Sequence, residues 1–137
     1  MAFDAGMLRL VVNEIKNLVF DTIGYKTATE FEITESDGVF AEKKDGKITV
    51  GGKTIPMLAR AFFLSAMKEK KGETEFKIEE KAHFSTCGML IDVSRNAVLK
   101  VSALKRYINH MVSLGMNAVI LYMEDVFTLV LVWDLKD

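Results

Sequence analysis

Four charged residues stand where two apolar runs end. Asp92 and Arg95 follow Met89-Leu90-Ile91. Glu124 and Asp125 follow a second run, residues 118–123. A guanidinium presents a planar fork that can hold paired hydroxyls or the carboxylate of a ligand. Paired carboxylates can supply acid/base chemistry. Neighbours on a strand point to opposite faces, so at most one of Glu124 and Asp125 faces a given pocket. Two plainer readings stand beside these. Arg95 is equally a solvated loop arginine, and two acids at a strand end are often a solvated loop. Asp92 lies within an apolar strand and must be paired or hydrogen-bonded. It serves as a structural anchor for the loop as readily as it would contact a ligand.

The elements that position these groups form one strand–helix–strand unit. Both apolar runs are nearly continuous, the pattern of parallel strands buried on both faces. Between them, residues 100–114 have helical period, with Val101, Leu104, Ile108, Met111 and Val112 on one face and Gly115 as terminator. In parallel sheets the chemistry gathers at the carboxyl ends of the strands, and all four charged residues fall at that edge. Ser94-Arg95-Asn96-Ala97-Val98 is no glycine fingerprint, which argues against a nucleotide site. His83 and Cys87 lack a third ligand, and His110 falls on the polar side of its helix, so no metal and no cofactor are expected. A Cys–His nucleophile pair has no support beyond closeness in sequence. The methionines fall mostly on apolar faces, as core filler.

Upstream, Leu8, Val11, Val12, Ile15, Leu18 and Val19 share one helical face, with Asp4 as N-cap and Gly24 as stop. A meander of about three antiparallel strands follows, its hairpin marked by Asp45-Gly46. Thr54 and Pro56 open a second helix with an apolar stripe of Ile55, Leu58, Ala59, Phe62, Phe63 and Ala66, closed by Gly72. Phe76 and Ile78 then alternate with Lys77 and Glu79 as a further strand. The expected class is α/β, an α+β sandwich. Two helices lie on one side of a two-layer antiparallel sheet, and one parallel β-α-β unit follows. The boundary falls between residues 83 and 87, giving units 1–83 and 84–137.

Composition limits the partners. The chain has 137 residues, 50% of them hydrophobic, enough for a real core. Its 18 basic and 19 acidic residues leave a net charge of −1, so nothing favours nucleic acid or an anionic membrane. The single cysteine excludes an intramolecular disulfide and suits a cytoplasmic location. No secretory signal and no membrane span are expected.

The run from Cys87 through Asp92-Val93-Ser94-Arg95, the helix beginning Lys100-Val101-Ser102, and the stretch from Leu114 to Glu124-Asp125 resemble the start of a known catalytic barrel. It is that of the family 20 glycoside hydrolases, the β-N-acetylhexosaminidases, in their bacterial exo-β-N-acetylglucosaminidase branch. The likeness covers residues 84–127. The preceding part is similar in layout to the family's non-catalytic N-terminal α/β domain. The resemblance implies that residues 84–137 begin an incomplete TIM-type barrel. It implies that Arg95 binds hydroxyls of a terminal β-linked N-acetylhexosamine, with Glu124 and Asp125 near the pocket and Asp92 as support. The family's reaction is substrate-assisted, with an Asp orienting the 2-acetamido group and a Glu protonating the leaving oxygen. Neither acid has a counterpart here, so no catalytic residue is assigned and the chain is expected to be inactive alone. Residues 126–133 read as another apolar strand, where the family has a polar, glycine-rich loop. The alternative, from another class, is a stand-alone α/β binding or assembly module that forms homo-oligomers through exposed strand edges.

Overall fold

The computed structural model describes residues 5–27, 30–95 and 98–124. Asp4, Asn96, Asp125 and the apolar stretch 126–133 lie outside the described residues, and so do the expectations placed on them. Within the described residues the protein is a mixed α/β structure of three helices and two sheets. None of these helices is long and apolar enough to cross a membrane.

Helix α1 (Ala5–Ile23) buries Ile15 and Val19 and half-buries Leu8, Val11, Val12 and Leu18, the face set by the apolar spacing. It stops at Gly24, which takes a left-handed φ of +64°. Strands β1 (Glu32–Thr34), β2 (Val39–Lys44) and β3 (Lys47–Gly51) follow. Asp45 and Gly46 both have positive φ, 50° and 77°, as a two-residue hairpin loop of type I′ requires. Helix α2 (Ile55–Lys70) starts at Thr54, whose hydroxyl accepts from Met57 N at 3.5 Å, and closes through Gly72 at φ +82°. Strand β4 (Phe76–Glu80) completes a four-stranded sheet in the order β1-β3-β2-β4.

This sheet is mixed, where three antiparallel strands were expected. The hairpin gives one edge of β2 to β3, and β4 pairs antiparallel on the other. β2 has both edges taken, and β1 pairs with the outer edge of β3, in parallel, Ile33 opposite Val50. The core gathers between this sheet and α2, where Leu58, Phe62, Phe63 and Val50 are fully buried and the Phe31 and Phe62 rings lie 4.6 Å apart. Of the stripe expected on α2, only Ile55 remains exposed. Lys43, on the helix side of β2, meets the buried Glu69 of α2 at 2.9 Å. Helix α1 packs beside α2 and also reaches the third helix.

The second unit has the expected connectivity. Strand β5 (Gly88–Asp92) and strand β6 (Ala118–Tyr122) pair in parallel, Asp92 opposite Tyr122, joined through helix α3 (Val101–Ser113). α3 packs on α1 and α2. Arg60 of α2 fixes this contact: its Nε and Nη2 each donate to the Glu80 carboxylate at 3.0 Å, and Nη1 donates to the Ser113 carbonyl at the end of α3. The expectation that β5 and β6 are buried on both faces is not met. Leu90 is 62% and Ile120 59% exposed, and of the two strands only Ile91 is buried. Their pairing puts Leu90, Ile120 and Tyr122 on the face away from Ile91, and no described element covers it. The α3 face is likewise only partly used: Met111 is buried, while Val101 and Ile108 are exposed.

Two substitutions test this arrangement. A Cβ at Gly88 would fall on the Ala118 carbonyl oxygen, so Gly88→Ala is expected to cost about 1–3 kcal/mol by overpacking and to separate β5 from β6. Arg60→Ala leaves the Ser113 carbonyl without its side-chain donor and is expected to cost about 1–3 kcal/mol. Denaturant unfolding midpoints measure both.

Candidate functional site

The carboxyl ends of β5 and β6 carry the charged cluster. Asp92 is the last residue of β5. Its Oδ1 accepts from Ser94 N at 2.9 Å and from the Ser94 hydroxyl at 2.6 Å, a turn in which an aspartate side chain caps the residue two places on. That turn bends the chain just past the strand and brings Arg95 back over the strand ends. Val93 N donates to the Tyr122 carbonyl at 3.0 Å, which extends the pairing to the site. The Arg95 guanidinium then lies between two carboxylates. Nε stands 3.7 Å from Asp92 Oδ2, and Nη2 donates to Glu124 Oε2 at 3.3 Å.

The structure thus brings Asp92, Arg95 and Glu124 together, and Asp125 lies outside the described residues. The Arg95 side chain is 72% exposed and that of Glu124 49%. Ion pairs this open are weak, and a ligand can replace them at little cost. The Ser94 hydroxyl, then the Ser94 N–H, hold the Asp92 carboxyl below its ordinary pKa, and the nearby Arg95 charge adds to the effect. Asp92 is therefore an anchored anion, committed to Ser94 through one oxygen. Glu124 and the remaining donors of Arg95 are the groups open to solvent.

Two supporting residues carry no obvious chemistry in the sequence. Ser94 fixes Asp92, and the Asp-x-Ser spacing is the signal that marks such a turn. Asn117 works at the opposite end of the pair. Its side-chain oxygen accepts from Cys87 N and its amide donates to the Ser85 carbonyl, both at 2.8 Å, and its own backbone N–H donates to the Cys87 carbonyl. Cys87 and His83 are exposed, His110 sits on the exposed side of α3, and no group of three or more metal-ligating side chains gathers among the described residues. A surface hollow lined by Leu8, Ile33, Thr34, Lys53 and Leu58 belongs to the first unit and lies among none of the four charged residues. No protein-family model matches the chain, and no curated protein matches it.

The anchoring of Asp92 has a measurable sign. Its folded pKa lies below the unfolded value. The stabilisation it gives is therefore present above the unfolded pKa and is lost as pH falls through the folded one. In Ser94→Ala the Asp92 carboxyl is expected to titrate at higher pH than in the parent chain, as followed by the carboxyl carbon shift in NMR.

Proposed function

We propose that the chain carries the sugar-binding sector of a hydrolase related to family 20, in which residues 84–124 form the first β-α-β part of a TIM-type barrel and residues 1–83 the non-catalytic α/β domain. On this reading Arg95 and Glu124, with Asp125, hold hydroxyls of a terminal β-linked N-acetylhexosamine, and Asp92 keeps Arg95 in place. The observation that carries the proposal is the Arg95–Glu124 contact across the carboxyl ends of two parallel strands joined by a helix. An arginine there donates to a hydroxyl pair while the carboxylate accepts from it. The uncovered Leu90, Ile120 and Tyr122 face gives further support, because barrel strands have a second, inward face that other strands must cover. The family's acid pair has no match in the sequence, so the role proposed is binding without turnover.

N-acetylglucosamine is expected to shift the side-chain NMR signals of Arg95 and Glu124 in the full chain, and Arg95→Ala is expected to abolish the response. Unmoved signals at millimolar sugar overturn the sugar reading. Release of nitrophenol from a nitrophenyl β-N-acetylglucosaminide overturns the assignment of binding without turnover.

The second reading, an assembly module, draws on the same strands, which expose apolar side chains beside edges that no described strand pairs. It requires self-association, and light scattering that finds a monomer at every concentration overturns it.

A further inference from the structure

Tyr122 ends β6 directly beside Asp92, its partner across the parallel pair. Partners across a sheet turn their side chains to the same face, and residues two apart along a strand share that face. Asp92 and Tyr122 therefore form the last row of one face, and Leu90 and Ile120 form the row beneath, roughly 6.6 Å toward the amino ends. Arg95 stands at that last row. Its Nε is 3.7 Å from Asp92 Oδ2, and its Nη2 donates to Glu124, two residues beyond Tyr122. The Tyr122 carbonyl accepts from Val93 N at 3.0 Å, which fixes the backbone that carries the ring. Tyr122 is 41% exposed, so an aromatic side chain lies open to solvent beside the Arg95–Glu124 pair.

That placement suits a pyranose. The substituents of a β-linked N-acetylglucosamine are all equatorial, so its hydroxyls radiate from the rim of the ring and its axial C–H bonds give it two apolar faces. The rim hydroxyls are the groups that Arg95 and Glu124 can hold. Exposed charged contacts of that kind are weak alone. A ring face buried against an aromatic side chain adds apolar contact, and a tyrosine loses little conformational freedom in making it. Leu90 and Ile120 lie one row deeper. In a barrel such rows fill the interior, while residues at the carboxyl ends of the strands line the site.

We propose that Tyr122 is a further binding residue of this site, its ring stacking on the C–H face of the sugar whose hydroxyls Arg95 and Glu124 hold. The inference rests on the sugar reading and adds an apolar contact to it. The two can fail separately, because the charged pair can hold hydroxyls without the ring.

NMR on the full chain with methyl β-N-acetylglucosaminide tests it. Saturation of the Tyr122 ring protons is expected to transfer to the axial protons of one face of the sugar, and the ring current is expected to move those protons upfield. Tyr122→Phe is expected to bind within about twofold of the parent chain, and Tyr122→Ala at least about fivefold more weakly. Absence of transfer while the Arg95 and Glu124 signals still respond to the sugar overturns the stacking and leaves the charged pair as the binding site. A loss in Tyr122→Phe as large as that in Tyr122→Ala also overturns it, because the hydroxyl is then the contact. So does Tyr122→Ala binding within about twofold of the parent chain. No response at Arg95, Glu124 or Tyr122 overturns the stacking and the sugar reading together.

Discussion

Burial of two adjacent phenylalanines on α2 sets the plan of the molecule. Residues 62 and 63 point about 100° apart around a helix, so a helix that buries both must be covered on more than one side. Phe62 and Phe63 are each fully buried. The sheet covers α2 through β2 and β3, while α1 and α3 flank it. The four-stranded sheet shares one buried core with α1 and α2, and α3 packs on the same two helices.

The charged cluster depends on this plan at one remove. α3 is seated on α1 and α2 and is fixed at its end by Arg60. α3 also joins β5 to β6, so its seat sets where the paired strands stand. At their carboxyl ends the Asp92–Ser94 turn aims Arg95 across at Glu124. The guanidinium is thus held by backbone geometry and two anions, with most of its surface open. Burial of the cluster is slight, so its recognition chemistry lies in hydrogen-bond geometry more than in desolvation.

Local signals in the sequence carried much of the fold. The Asp45-Gly46 hairpin, the Thr54 cap and the stops at Gly24, Gly72 and Gly115 each follow from residues close together in the chain, and the parallel β5–β6 pair follows from the strand–helix–strand pattern that spans them. What stayed hidden depends on contacts made at distance. The parallel pairing of β1 with β3 is a long-range choice that no property of residues 31–34 states. The composition of the β5 and β6 runs predicts burial on both faces. Composition reports only that such strands tolerate cover on both faces; whether a neighbour provides it is a matter of tertiary structure. At the site, the grouping of Asp92, Arg95 and Glu124 was legible from strand ends. The tie to Ser94 depends on the turn geometry past β5, which residue type alone does not fix. Arg60 was invisible as a strut because its partners lie 20 and 53 residues away.

The Arg60 strut also ties together segments far apart in the chain. Its three anchor points emerge in sequence during synthesis: first the helix, then Glu80, and only much later Ser113. The hairpin, α2 and β4 can assemble from contacts of modest separation while the rest of the chain is still being made. Arg60 and Glu80 are 20 residues apart and Arg60 and Ser113 53 apart, so the contact within the first part of the chain closes a shorter loop than the one that seats α3.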